Sequence, residues 1–418
     1  MIIPSIDLMD GQTVQLVGGA TKALDAGDPR PIAERFALVG EVAVIDLDAA
    51  LGRGSNRDLI RALLPRARCR VGGGIRDVET ALAWLDAGAH KVILGTAARP
   101  EILRELPRER VIAALDARDG EVVVEGWTKG TGEGVVDKMA ALAPYVGGFL
   151  VTFVEREGRL QGLDMARVKE LVDAAGDAAL TVAGGVTTAA DVAAIDRLGA
   201  DAQVGMALYT GRFSLADALA AMLQSDRSDG LWPTVVTDST GVALGLAYSS
   251  AASLEAAIAQ RCGVYHSRRR GLWIKGETSG ARQTLLRVDL DCDRDTLRFV
   301  VEQAGAGFCH RQTATCWGAA EGLGALAQTL ASRRAEAPPG SYTARLFADD
   351  ELLGKKLLEE AAELAQARGP EAIAHEAADV LYFAMVAMAR GGVDLADVAA
   401  ELDRRARRVT RRPGDAKV

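Results

Sequence analysis

The sequence predicts a multidomain protein: a (β/α)8 TIM barrel over residues 1–225, a small α+β, β-rich metal-binding domain over 230–330 and an all-α domain over 340–418. Three observations predict it. Short β-branched runs (VAVIDL, HKVILG, GFLVTF, ALTVAGG) alternate with Ala-rich charged stretches such as RPIAERFALVG, the pattern of repeated βα units. That region also repeats itself at an offset of about 110 residues. Finally, two breaks, SDRSDGLWP and SRRAEAPPGS, separate it from denser strand-like text and then from helical text.

The repeat can be followed residue by residue. IDLMDGQTV (Ile6 to Val14) matches LDARDGEVV (Leu115 to Val123), VGGGIR (Val71 to Arg76) matches VAGGVT (Val182 to Thr187), and ILGTA (Ile93 to Ala97) matches QVGMA (Gln203 to Ala207). Two halves of four strands make an eight-stranded barrel, whose strand C-termini carry the chemistry. One such copy alone reads as ordinary turn glycines; repetition in register argues for function. Bare Gly-Gly and Gly-Thr/Met backbone beside helix starts is a phosphate-holding arrangement. Two copies on opposite sides suit a ligand with a phosphate at each end. Asp7 and Asp116 then face each other across the mouth as an acid/base pair.

MIIPSIDLMDGQTVQLVGG, VGGGIR, ILGTAA and ALDARDG resemble the histidine-pathway isomerase that acts on phosphoribosylformimino-aminoimidazole-carboxamide ribotide. The resemblance implies an Amadori rearrangement of an aminoaldose bisphosphate, with Asp7 as general base at the sugar C2′ proton and Asp116 nearby. It implies phosphate binding by Gly73, Gly74, Gly95, Thr96, Gly184, Gly185 and Gly205, and substrate packing by Trp127 in EGWTKG. TFVEREGR (Thr152 to Arg159) departs from the family's Thr-Asp-Ile-x-Arg-Asp-Gly-Thr. Glu157 takes the general-acid position, and Phe153 and Arg159 replace an acid and a threonine.

The middle segment centres on DLDCDRD, Asp289 to Asp295. Read as an extended strand, it puts Asp289, Asp291, Asp293 and Asp295 on one face and Leu290, Cys292 and Arg294 on the other. Four carboxylates on one face call for a hard cation such as Mg²⁺. On the other face Cys292 can join Cys309 and Cys316 of FCHRQTATCWG, three thiolates that leave a fourth zinc position open for a water. A solvated edge and buried apolar thiols are the plain readings, but neither explains the coincidence. SRRRGLWIKGETSG, DCDRD and CHRQTATC resemble phosphoribosyl-AMP cyclohydrolase. The resemblance implies Cys292, Cys309 and Cys316 as Zn²⁺ ligands, Asp291, Asp293 and Asp295 as Mg²⁺ ligands, His310 as proton-transfer group and Arg268 and Lys275 as substrate- or phosphate-binding groups. It also implies an obligate dimer, because that family's zinc cysteines come from two chains. VYHSRR departs from the family's His-Tyr-Trp-Ser at Val264 and His266.

In the helical text, Glu359 and Glu360 lie four and three residues before Glu363, and Glu376 lies three before Asp379, which groups carboxylates on helix faces. A solvated charged face is the plain reading of EEAAE. AADVLYFAMVAMA, however, should be a mostly buried helix, so its acids call for a role. With SYTARL ahead of it, the segment resembles phosphoribosyl-ATP pyrophosphohydrolase, of the all-α nucleotide pyrophosphohydrolase group. The resemblance implies Mg²⁺-assisted attack of water on the α–β phosphoanhydride, with Glu360, Glu363, Glu376 and Asp379 as ligands and Glu359 as a weaker candidate. So few residues bury little core alone, so the helices should pair between chains. RRARRVTRR (Arg404 to Arg412) reads as a solvated basic helix end or an attractor of phosphates.

The three resemblances form consecutive steps of histidine biosynthesis in reverse chain order, predicting a trifunctional enzyme. The open alternatives are a barrel that acts on another aminoaldose such as phosphoribosylanthranilate, or one that is a scaffold or regulatory module beside two hydrolases. MIIPSIDLMD has no basic region ahead of an apolar core, and no apolar run of about 18 residues suggests a membrane span. Five cysteines argue against a disulfide framework, and a net charge of −8 against nucleic acid. The expected setting is cytoplasmic, the expected partners small phosphoribosyl nucleotides and a second copy of the chain.

Overall fold

Parallel pairing runs unbroken round a ring of eight strands, as the repeat requires. In a computed structural model describing residues 1–410 apart from 20, 125, 126, 128 and 161, the chain divides into two compact units. The first holds residues 1–237, 246–304 and 406–410; the second holds 238–245 and 305–405.

The barrel opens with β1 (Ile2–Met9), β2 (Gln12–Val17), β3 (Thr21–Gly27), β4 (Glu41–Asp46), β5 (Arg68–Gly72) and β6 (Lys91–Leu94). The second half repeats them as β7 (Val111–Arg118), β8 (Glu121–Val124), β9 (Lys129–Gly134), β10 (Gly148–Phe153), β11 (Ala179–Ala183) and β12 (Ala200–Val204). The ring runs β1, β4, β5, β6, β7, β10, β11, β12 and back to β1. In each half the first strand continues into an antiparallel hairpin, β1–β2 and β7–β8. Both turns are Asp-Gly with positive φ at both residues, Asp10 and Gly11 at 52° and 74°, Asp119 and Gly120 at 51° and 89°. That is the primed-turn geometry which Asp-Gly favours.

Ile93, Ile112, Leu150 and Ala183 from four successive strands pack inside the ring. Its floor is ionic. Arg70, 5% exposed, reaches from β5 across to Thr181 of β11 (Nη1 to Oγ1 2.8 Å) and to Asp201 of β12 (3.0 Å), and pairs with Glu41 of β4. A buried cation held by two carboxylates and a hydroxyl is satisfied, and removing one partner would leave it costly.

After the barrel, β13 (Trp232–Thr237), β14 (Ala243–Ser249), β15 (Val264–Ser267), β16 (Gly271–Ile274), β17 (Gln283–Leu290) and β18 (Leu297–Gln303) form a four-stranded sheet, β14-β13-β18-β17, and a β15–β16 hairpin. Tyr265, fully buried, packs on Phe299 and donates its hydroxyl to Gln283 Oε1 at 2.7 Å.

In the second unit the helices Gly322–Ala335, Tyr342–Ala348, Asp350–Gln366 and Pro370–Gly391 share one core of Leu330, Leu346, Leu353, Phe383, Met385 and Val386. Pro370–Gly391 corrects two expectations. It is long and apolar enough to cross a membrane by length and composition, so the sequence does contain one such stretch. It is also not mostly buried: Ile373 and Leu381 are 46% and 45% exposed, because neighbouring helices of the single chain cover one side only. Of the basic run from Arg404, Arg404 and Arg405 pair with Glu401, while Arg411 and Arg412 lie outside the described residues.

Candidate functional site

β1 and β7 stand four places apart in the ring of eight, and they deliver Asp7 and Asp116 to its mouth. Their settings match strand for strand: Asp7 lies opposite Val14 and Ile45, Asp116 opposite Val123 and Thr152. Gln15 donates to Asp7 at 3.2 Å, but burial prevails and pushes the Asp7 carboxyl up to about 7. Burial also raises Asp116, against hydrogen bonds from the side chains of Trp127 and Thr152. Glu157 is pushed up to about 7 by burial and then by the charges of Asp7 and Asp116, and its Oε2 has no hydrogen-bond partner. Glu157 feels the charges of both aspartates, and with Asp7 and Glu157 each near 7 the group can both give and take a proton at neutral pH.

Trp127, at φ 70°, links the halves: it bonds Asp116, and its ring lies where a Cβ on Gly19 would be 2.4 Å away. Its neighbours Glu125, Gly126 and Thr128 in EGWTKG lie outside the described residues. The doubled glycines also match. Gly73 and Gly74 have φ of 91° and 71°, Gly184 and Gly185 of 83° and 92°. A Cβ on Gly73 would fall 2.2 Å from the Asp46 carbonyl oxygen, and one on Gly184 2.5 Å from that of Phe153. Gly184, Gly185 and Gly205 line a pocket with Glu157 and Ser5, while Gly95 and Thr96 are exposed. A Cβ on Gly205 would sit 2.4 Å from Gln15 Oε1 and 2.8 Å from Ser5 Oγ, so any larger residue there would displace the side chain that bonds Asp7. Gln15 and Thr152 were not singled out in the sequence. Gln15 is 3% exposed within the strand QTVQLV, a burial that the sequence by itself does not show.

The opening reading of DLDCDRD is overturned. β17 ends at Leu290, and residues 291–296 form the turn into β18, so no strand face alternates there. Asp291 Oδ1 accepts from the backbone N–H groups of Asp295 (3.0 Å) and Thr296 (3.1 Å), and this local capping folds the turn. Burial opposes ionisation of Asp291, but those amides outweigh it and hold the carboxyl below its ordinary value. Asp289, back on the strand, pairs with Arg287 and Arg298 and leaves the group. The turn still gathers Asp291, Asp293 and Asp295, with one oxygen of each within 4.8 Å of the others. Three carboxylates and no softer donor fit a hard divalent cation.

Cys292 is exposed on that turn of the first unit. In the second unit Cys309 and Cys316 interact, and the Cys309 thiol is drawn down by the Arg311 amide, then by Thr313 and Cys316. Thiols held toward thiolate fit a softer metal. His310 Nδ1 lies 3.9 Å from Cys309 Sγ, its ring exposed. Arg268 stacks 4.8 Å from the Tyr248 ring centre, and Lys275 is 6% exposed.

Among the helices, Glu360, Glu363 and Glu376 also bring oxygens within 4.8 Å. Desolvation and then the charges of Glu360, Glu376 and Glu359 raise the Glu363 carboxyl. A carboxylate cluster that raises its own member suits a divalent cation. Lys356, unremarked in the sequence, pairs with Glu360 (2.8 Å) and Glu359 (3.0 Å). Asp379 stands outside this group. One turn past Glu376, it faces His375 instead, Nε2 to Oδ2 3.7 Å.

The protein family described as histidine biosynthesis protein matches residues 1–214, that described as phosphoribosyl-AMP cyclohydrolase matches 245–318, and that described as phosphoribosyl-ATP pyrophosphohydrolase matches 323–406. A histidine biosynthesis trifunctional protein of Komagataella pastoris is 39% identical over 349 residues, 81% of this chain and 38% of the relative. One of Neurospora crassa is 52% identical over 207 residues, 50% of this chain and 24% of the relative. The chain thus spans less than two fifths of either fungal protein. A phosphoribosyl imidazole-4-carboxamide isomerase of Halobacterium salinarum is 43% identical over 237 residues, 53% of this chain and 96% of that protein.

Proposed function

The chain belongs to the histidine biosynthesis protein family, and from that premise we propose that it performs three successive steps of the pathway. The helical segment hydrolyses phosphoribosyl-ATP to phosphoribosyl-AMP and pyrophosphate. The middle segment opens the adenine ring of phosphoribosyl-AMP by hydrolysis. The barrel then isomerises the resulting aminoaldose bisphosphate to the aminoketose.

The observation that carries the barrel step is the raised trio Asp7, Asp116 and Glu157. An Amadori rearrangement needs a proton delivered to the sugar ring oxygen as the ring opens and another removed from C2′. Asp7, ionised, takes the C2′ proton; Glu157, protonated, supplies the other. With both near 7, one proton shared between them meets this need at neutral pH. Asp116 raises Glu157 and anchors Trp127 over the substrate. The loops of Gly73–Gly74 and Gly184–Gly185 hold the two phosphates, and holding both ends fixes the sugar between the carboxyls.

In the middle segment we assign Zn²⁺ to Cys292, Cys309 and Cys316 and Mg²⁺ to Asp291, Asp293 and Asp295; the zinc would supply Lewis acidity toward water. His310 moves the proton, its exposed ring beside Cys309 leaving a nitrogen for substrate. In the helical segment Glu360, Glu363 and Glu376 would hold Mg²⁺ against the triphosphate. Exposed Leu358, Ile373 and Leu381 support pairing of these helices with a second copy. Five free thiols support a reducing, cytoplasmic setting.

The test is a stepwise assay of the full chain with phosphoribosyl-ATP, Mg²⁺ and Zn²⁺, read by mass spectrometry. The ketose is the expected end product. If the aminoaldose accumulates instead, the barrel assignment falls and the scaffold reading, or another aminoaldose substrate, takes its place.

A further inference from the structure

The turn that carries Asp291, Asp293 and Asp295 is held from outside itself. Arg294, within the turn, has φ 64°, a backbone region that glycine enters freely and arginine does not. Its guanidinium is bidentate on Asp196, with Nε and Nη2 each at 2.9 Å, and Nη1 donates to the Asp291 carbonyl oxygen. The Gln224 backbone N–H donates to the Arg294 carbonyl oxygen at 2.7 Å. Both outside anchors belong to the barrel and its exit: Asp196 is the penultimate residue of the helix Ala189–Arg197, and Gln224 lies two residues past the last barrel helix, Leu215–Met222.

Asp196 is an odd residue for its place. A carboxylate near a helix C-terminus opposes the helix dipole, so the helix itself gains nothing from it. Its side chain is only 8% exposed, and burial is outweighed by Arg294 and the Met1 amino group, which hold the carboxyl at about 2. Asp196 thus holds two partners, the Met1 amino group at 2.8 Å and Arg294, and it is through Arg294 that it reaches the turn. Three carboxylates crowded into a few residues repel one another, and a turn closed only by Asp291 capping its own amides would relax outward before a cation arrived.

We propose that Asp196 and Arg294 are positioning residues for this turn: the barrel helix keeps Arg294 in its left-handed backbone, so that Asp291, Asp293 and Asp295 already converge on one divalent cation. The barrel thereby sets the metal affinity of the neighbouring hydrolase, whatever it does to its own substrate. The proposal rests on the reading of these three aspartates as ligands.

The experiment uses the full chain purified with zinc, carrying Glu360→Gln and Glu363→Gln to silence the helical cluster. Mn²⁺ is titrated and the free ion followed by electron paramagnetic resonance. Asp196→Asn and Arg294→Gly should each weaken Mn²⁺ binding about tenfold or more. In chains without the two glutamine changes, the Mg²⁺ concentration that half-saturates the cyclohydrolase step should rise by the same factor, with the rate at saturating Mg²⁺ kept within about twofold. A mere loss of folding would lower that rate instead, and Arg294→Gly, which relieves the backbone, guards against it. Mn²⁺ affinity unchanged in both variants overturns the positioning role and leaves the ligands standing. If Asp293→Asn in the parent removes no bound Mn²⁺, the ligand reading fails and the proposal with it.

Discussion

The loops after β4 and β10 occupy equivalent places in the two halves of the barrel and are built in opposite ways. After β4, Asp46 is 2% exposed and accepts from the Asn56 amide (2.7 Å), Asn56 Nδ2 (2.8 Å) and the Ala49 amide (3.1 Å). Asp48 accepts from the Asp10 amide (2.7 Å) and Asn56 Nδ2 (2.9 Å), tying the loop to the first Asp-Gly hairpin. After β10, Phe153 takes the place of Asp46, and Glu155 and Glu157 each keep a buried oxygen without a hydrogen-bond partner. One loop has its acids neutralised by geometry and is scaffold. The other keeps two carboxyl oxygens buried and unpaired, and burial raises Glu157 among them, which is what a proton-transfer site needs.

The comparison breaks most sharply at Asp7. Asp7→Asn should cut the isomerase step by roughly 10²–10⁴-fold while both hydrolase steps continue, as read from intermediates by mass spectrometry. Survival of the isomerase step would make the raised carboxyls a structural accident. Asp46→Asn should do the reverse: a cost of about 2–4 kcal/mol in stability, seen in urea unfolding, with kcat per folded molecule little changed. Phe153→Asp, which gives the second loop the acid of the first without an Asn56 to receive it, should cost about 1–3 kcal/mol.

Glu157→Gln sharpens the contrast through pH. A carboxyl raised to about 7 in the folded chain binds its proton more tightly there than when unfolded. Its contribution to stability is complete below about 4.5, declines as pH rises through the folded value near 7, and stays low above it. Glu157→Gln should therefore match the parent in unfolding free energy at pH 4.5 and exceed it at pH 8 by about 1–3 kcal/mol, seen in urea unfolding, while losing isomerase activity. The corresponding change at Asp48, whose Oδ2 accepts from the Asp10 amide and Asn56 Nδ2, should instead lower stability.

Repetition made the barrel legible, because Asp-Gly and Gly-Gly pairs recur wherever both halves need positive φ. The candidate acids Asp7 and Asp116 were legible for the same reason, and Glu157 through its motif. What alternation could not show is where a strand stops: DLDCDRD reads as extended, yet Asp291 caps amides four and five residues on and turns the chain. Helical spacing put Glu376 and Asp379 on one face, but side-chain direction separates them, and Asp379 turns to His375. Arg294 and Asp196 lie 98 residues apart, and no local pattern announces a pair of that kind.

Arg70 bolts the barrel's floor from β5 to β11 and β12. A vessel sealed at the base has one door. Whatever reaches Asp7 and Glu157 then comes from the side of the strand C-termini, where the Asp-Gly hairpins stand, and leaves by the same side. With entry and exit on one side, thickening the solvent should slow the barrel step more than the hydrolytic ones.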